Sequence, residues 1–254
     1  IKYIISPTTG LNHIDINVCQ SKNIQIVSLR NCMDKIENVS STTELNLGLM
    51  ISLVRNMNNA INHVNVNSNW DRDKFRGYQL RNKNLGIIGL GRIGLAFAKI
   101  CTQMGMNIFA FDPEYENKKN TPNGITLMPI PELLSICNII SINANYDLKN
   151  KYLISFEELD KMKTGIFIIN TARGELLNEK AIIQGLKEKK IAGIAVDVLE
   201  NEHKNNFLDH SLLHQISKEG YNVIITPHIG GCTKEAMEYT EYTIAKYFKE
   251  SVSK

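Results

Sequence analysis

The chain has little net charge, no paired cysteines and no long apolar run, and each deficit narrows what it does. A formal charge of +3 over 254 residues, with the lysines scattered through polar stretches, argues against a nucleic-acid-binding surface. Its five cysteines (Cys19, Cys32, Cys101, Cys137 and Cys232) are odd in number, widely spaced and free of Cys-x-x-Cys pairs. That pattern is expected of buried reduced thiols in a cytoplasmic protein. No apolar run approaches membrane-spanning length, and the opening residues are not a basic segment followed by an apolar one. Internal repeats and low-complexity segments are also lacking. The first residue is Ile1 rather than Met, inside the strand-like run Tyr3-Ile4-Ile5, so a natural N-terminal segment is expected to be missing.

What is present centres on residues 85–94, Leu85-Gly86-Ile87-Ile88-Gly89-Leu90-Gly91-Arg92-Ile93-Gly94. An apolar run that reads as a buried strand enters Gly-x-Gly-x-x-Gly and leaves as the helix-like Leu95-Ala96-Phe97-Ala98-Lys99-Ile100. This is the order of a dinucleotide-binding turn: Gly89 for the tight bend, Gly91 for close approach of a pyrophosphate, Gly94 for helix-to-strand packing. The phosphates would rest against the amide groups and positive end of the helix.

Around this turn the chain reads as alternating strands and helices. Residues 1–29 hold two short apolar runs, Tyr3–Ile5 and Ile24–Leu29, with a loop and a short helix between them. Thr42–Asn56 has helical apolar spacing, N-cap candidates at Ser41–Thr43 and Glu44 in the first turn. Residues 62–84 are polar and irregular and fit either an arm packing on a neighbouring chain or a solvated connector. From Leu85 onward, strands are expected at 85–90, 107–112, 126–128, 139–142, 166–170, 191–196 and 223–226. The helices expected between them are 92–104, 131–136, 155–162 and 178–189, with a last amphipathic helix at 234–249 carrying Met237, Ile244 and Phe248 on one side. Near-continuous apolar strands alternating with helices imply an α/β fold with a doubly wound parallel sheet covered on both faces.

Several residues at predicted strand ends can carry chemistry. Asp112 ends the strand after the glycine turn, where an acid accepts hydrogen bonds from ribose hydroxyls; no arginine follows to neutralise a 2′-phosphate, which favours NAD. Arg173, in Asn170-Thr171-Ala172-Arg173-Gly174, can hold a carboxylate bidentately and polarise an adjacent carbonyl. His228, between Thr226-Pro227 and Ile229-Gly230-Gly231, is an accessible imidazole suited to passing a proton near neutrality. Asp197, Glu200 and Glu202 lie past a third strand end, and either glutamate could pair with His228. His210 and His214 could share a helix face, but no third ligand is in view and no metal site is expected.

Together, these segments make the chain resemble the D-isomer-specific 2-hydroxyacid dehydrogenase family, which includes phosphoglycerate, glycerate and D-lactate dehydrogenases. Similarity extends over essentially the whole chain, including Thr8-Thr9-Gly10-Leu11-Asn12-His13-Ile14-Asp15, which resembles the family's substrate loop. The resemblance implies an NAD-dependent hydride transfer between nicotinamide and a D-2-hydroxy acid, with phosphoglycerate dehydrogenase-like chemistry as the expected subclass. It implies a substrate carboxylate held by Arg173 and the backbone at Thr9 and Gly10, His228 as acid/base, and Glu202 rather than Glu200 as its partner. Gly89, Gly91, Arg92, Ile93, Gly94, Asp112, Thr171, Asp197 and Gly230 would contact the cofactor. It further implies a Rossmann-type NAD domain at 56–227 and a smaller, incomplete flavodoxin-like substrate domain at 1–55 and 228–254, in a homodimer. His203 stands where the family usually has proline, and Asn143-Ala144-Asn145 where it usually has His-x-Pro. The family's corepressor branch resembles the enzymes at the same residues, so an NAD(H)-binding scaffold is the rival expectation and an inactive fragment the third.

Overall fold

Strands without polar alternation must be buried on both faces, and this requirement organises the larger part of the molecule. The computed structural model describes residues 1–115 and 122–252. It places β1 at Tyr3–Ser6, β2 at Gln25–Ser28, β3 at Asn84–Ile88, β4 at Asn107–Phe111 and β5 at Ile125–Leu127. It continues with β6 at Ile139–Ile142, β7 at Ile166–Asn170, β8 at Ile191–Val196 and β9 at Val223–Ile225. The helices are α1 (Ile16–Ser21), α2 (Ser41–Val54), α3 (Met57–Asn65), α4 (Arg92–Gln103), α5 (Ile130–Ile136), α6 (Phe156–Lys161), α7 (Glu179–Lys187), α8 (Phe207–His210), α9 (Leu212–Ser217) and α10 (Lys234–Val252).

β3 to β9 form one seven-stranded sheet in the order β5-β4-β3-β6-β7-β8-β9, every pair parallel. Alternate residues of the central strands feed two cores. Ile140, Ile142, Ile168 and Val196 pack with Leu133, Leu134, Leu159, Ile182 and Leu186 of α5, α6 and α7. Ile139, Phe167, Ile169 and Ala195 belong with Leu49, Met50 and Leu53 of α2 and Phe97, Ala98 and Cys101 of α4. The sheet is therefore doubly wound, as expected. The strand order reverses between β3 and β6, and in open α/β sheets ligands bind at the carboxyl edge of that switch point.

The backbone divides into two compact units, Thr42–His228 and a smaller one of Ile1–Ser41 with Ile229–Lys254. The boundary falls at Ser41 instead of residue 55, because the buried face of α2 completes the core of the sheet. In the smaller unit β1 and β2 pair in parallel. Ile244 of α10 packs with Leu29, Cys32 and Ile36, and the Tyr3 and Phe248 rings meet edge-on at 5.1 Å.

The structure corrects several local expectations. Residues 57–65 form α3, a helix whose residues are all at least partly exposed, so burial gave it no apolar stripe to read. Within the polar stretch that follows, Tyr78 packs edge-on against Phe167 of β7 at 5.9 Å, whereas Trp70 is 88% exposed. Met237 lies off the buried face of α10 and is exposed. Cys232 is exposed, although the other four thiols are buried, and all five are free. His210 and His214 do not share a helix: Ser211 ends α8 and caps α9 between them. Among the described residues there is no cluster of three His, Cys, Asp or Glu placed for a metal, and no helix long and apolar enough to cross a membrane.

Candidate active site

The glycine turn joins β3 to α4 at the switch point. Gly89 has φ +96°, and a Cβ there would lie 2.7 Å from the Ala144 nitrogen in the loop after β6, so no other residue fits. A Cβ on Gly94 would collide with the Gly89 carbonyl, whereas the space beside Gly91 is empty to 4 Å. α4 starts at Gly91 with no side-chain cap, and Arg92 and Ile93 form its half-buried first turn. Burial pulls the Arg92 guanidinium below its ordinary pKa. Asp112 follows β4 and turns back: its carboxylate accepts from the Leu90 N–H (2.7 Å) and the Glu114 N–H (2.9 Å). The acid thus holds the turn's shape as well as standing where a ribose would be met. Open space at Gly91, an uncapped helix start and an acid at the next strand end fit a dinucleotide pyrophosphate and ribose.

The charged residues gather past β7, β8 and β9. Fully buried Asn170 ends β7 and braces the next loop, its Nδ2 donating to the Arg173 carbonyl (2.8 Å) and its Oδ1 accepting from the Ala172 N–H (3.0 Å). The Arg173 guanidinium donates to the Ala172 carbonyl. At Gly174 a Cβ would run into the Leu199–Glu200 backbone, so glycine there lets the arginine loop press against the loop bearing Glu202. Asp197 is 1% exposed; its Oδ1 accepts the Thr226 hydroxyl (2.6 Å), and its carbonyl accepts the His228 N–H (2.9 Å). That backbone bond, with a second to the Thr226 carbonyl, holds His228 in the left-handed region at φ +55°.

The imidazole Nδ1 of His228 meets Oε1 of Glu202 at 2.6 Å. The hydrogen bond to Glu202 is the main reason the His228 pKa is raised above its ordinary 6.5, against burial and the charge of Arg173. Burial pushes the Glu202 carboxyl up, but its bond and charge interaction with His228, the Leu199 amide and the Arg173 charge together hold it below its ordinary value. Glu200 is engaged elsewhere, with Lys151 Nζ at 3.0 Å and the Tyr152 hydroxyl at 3.2 Å. Geometry therefore separates two glutamates that chemistry alone left equivalent.

Gly230 is buried in the smaller unit. That unit also holds Thr9 and Gly10, half-buried in a loop where the Thr9 carbonyl accepts from Arg30 Nε (2.7 Å) and the Gly10 carbonyl from the Thr8 hydroxyl (2.7 Å). Sequence reasoning passed over Asn46, fully buried on α2 and bonded to the Thr171 hydroxyl and to Asn143. The available signal was an amide set among Leu45, Leu47, Leu49 and Met50.

Fold and side chains define a parallel α/β protein with a dinucleotide-type turn and an Arg–Glu–His cluster at one sheet edge. Residues 47–230 match the family described as D-isomer specific 2-hydroxyacid dehydrogenase, NAD binding domain, and the chain belongs to that family. It is 33% identical over 236 residues to D-3-phosphoglycerate dehydrogenase of Archaeoglobus fulgidus, covering 93% of this chain and 42% of that protein. Against the aromatic 2-oxoacid reductase of Clostridium sporogenes it is 34% identical over 244 residues, 93% of this chain and 71% of that protein. The chain thus spans less than half the length of the archaeal phosphoglycerate dehydrogenases it matches. Among solved structures it resembles D-lactate dehydrogenase from Aquifex aeolicus complexed with NAD and lactic acid, with TM-score 0.83, 26% identity, and coverage of 100% of this chain and 77% of that one.

Proposed function

We propose that the protein is an NAD-dependent D-2-hydroxyacid dehydrogenase that interconverts a 2-keto acid and a D-2-hydroxy acid. The observation that carries this reading is the 2.6 Å His228–Glu202 pair, with Arg173 near enough for its charge to act on both partners. Bound NADH would supply the hydride. Arg173 holds the substrate carboxylate and turns the keto group toward His228. Imidazolium, favoured by Glu202, gives its proton to the carbonyl oxygen, and in the oxidative direction neutral His228 takes it back. Gly89, Gly91, Arg92, Ile93, Gly94 and Asp112 hold the pyrophosphate and ribose, with Thr171, Asp197 and Gly230 toward the nicotinamide. Thr9 and Gly10, whose carbonyls are consumed locally, offer amide groups to the substrate carboxylate.

Domain roles follow the same reading, the sheet unit taking the cofactor and the smaller unit contributing to the substrate. The relatives act on 3-phosphoglycerate, aromatic 2-oxo acids and lactate by name, so the shared chemistry is a carboxylate beside an oxidisable or reducible carbon. Four buried free thiols support a cytoplasmic setting, and a homodimer is proposed on the family resemblance, to be checked by sedimentation equilibrium. The decisive assay is NADH oxidation with phosphohydroxypyruvate, phenylpyruvate, pyruvate and glyoxylate. Turnover of one or more is expected, with Arg173→Ala and His228→Ala each lowering kcat/KM by about 100- to 10,000-fold. NADH binding without turnover of any 2-keto acid would replace this reading by the scaffold one.

A further inference from the structure

Thr171 follows β7, two residues before Arg173, and its one hydroxyl hydrogen is already committed. Oγ1 donates to Oδ1 of Asn46 at 2.7 Å. Asn46, fully buried on α2, passes the direction on, its Nδ2 donating to Asn143 Oδ1 at 2.9 Å. Asn143 Nδ2 in turn donates to Ser141 Oγ at 3.0 Å. The far end is equally fixed. The Asn143 N–H bonds the Ile88 carbonyl at 2.8 Å, and the neighbouring Ala144 backbone is what the bend at Gly89 presses against.

A hydroxyl has a single hydrogen, so a threonine that has given it away can meet a ligand only with its lone pairs. An amide at a buried, apolar helix position costs desolvation unless both its ends are matched, and here both are. Donation thus runs one way, from Thr171 through Asn46 and Asn143 to Ser141, and leaves the Thr171 oxygen as an acceptor at the sheet's carboxyl edge.

We propose that Asn46 and Asn143 are positioning residues that hold Thr171 as a hydrogen-bond acceptor for a primary carboxamide, the donor at the nicotinamide end of the cofactor. The proposal rests on the NAD-binding reading above and adds a specificity to it: an N–H2 group is favoured over a carboxylate in the same place. Such a carboxylate meets lone pairs facing lone pairs.

Calorimetric titration of the full chain with NAD, nicotinic acid adenine dinucleotide and ADP-ribose tests it. The unaltered protein should bind NAD about tenfold more tightly than the carboxylate analogue, the scale of one buried unmatched polar contact. Asn46→Leu frees the Thr171 hydroxyl to rotate and donate, so this preference should shrink by about fivefold or more while ADP-ribose affinity stays within about twofold. Thr171→Val removes the acceptor with little change of volume and should narrow the preference in the same way. Asn46→Asp, which keeps the oxygen Thr171 donates to, should retain it. Parallel weakening of NAD and ADP-ribose in Asn46→Leu, or an unchanged preference in both Asn46→Leu and Thr171→Val, would overturn the proposal by reducing the chain to scaffolding. If the unaltered protein binds none of the three ligands, the NAD reading fails first and carries this one with it.

Discussion

At the β3–α4 turn the protein presents hardly any side chain, whereas past β7, β8 and β9 it presents charged ones, Arg173, Glu202 and His228 among them. The turn is shaped by what is missing: a Cβ at Gly89 or Gly94 would strike backbone, and a Cβ at Gly91 would fill open space. Farther along the same carboxyl edge, the loops past β7, β8 and β9 are shaped by buried polar braces. Asn170 holds the Arg173 loop, while Asp197 and the Thr226 hydroxyl hold the turn that presents His228. A turn made of backbone is broken by adding a methyl group; a cluster made of charged side chains is broken by removing a single charge. The two regions should therefore fail differently under mutation.

The largest expected effect is at the turn. Gly89→Ala forces a Cβ to 2.7 Å from the Ala144 nitrogen at φ +96°. We expect about 2 kcal/mol or more of lost stability, read as a lower Tm, together with loss of NADH binding by fluorescence titration. A variant that kept both would mean that the turn is not built by exclusion. Next comes Glu202→Gln, which keeps the volume and removes the charge. Because the Glu202 bond raises the His228 pKa, the protonated form that the proposed reduction would use persists above pH 6.5 and is lost as the pH rises through the raised value. In Glu202→Gln that fall should begin at lower pH, and the plateau rate should drop by about 10- to 100-fold, with Tm nearly unchanged. An unshifted profile would disconnect the pair from proton transfer. Smallest is Glu200→Gln. Its partner Lys151 is 40% exposed, and exposed ion pairs contribute about 0–1 kcal/mol, so Tm and kcat/KM should barely move. An effect as large as that of Glu202→Gln would erase the distinction between the two glutamates.

How much of this was legible beforehand follows the same division. Glycine at fixed spacing after an apolar run carries its mechanism in the residue type, and the central strands announce themselves by having nothing polar to expose. Arg173, Glu202 and His228 could be read because each closes an apolar strand or belongs to a motif. The choice between Glu200 and Glu202 could not be read from chemistry, because it depends on Lys151 and Tyr152, some 50 residues away in the chain, drawing one of them aside. Asn46 bonds Thr171 across 125 positions, a pairing that no local pattern encodes. Helices α3, α8 and α9 escaped because they are short or lack a buried stripe, and helical periodicity needs several turns of burial to show.

The distribution of thiols has a practical side. Burial pushes Cys101 and Cys137 up to about 12 and raises Cys32 as well, so none of these is a thiolate at neutral pH. Cys19 is enclosed too, leaving Cys232 as the exposed sulfur, four residues beyond His228. The chain therefore comes with a single native attachment point for a maleimide dye. A fluorescent reporter can be placed a few residues along the chain from His228 without first stripping the protein of its other cysteines.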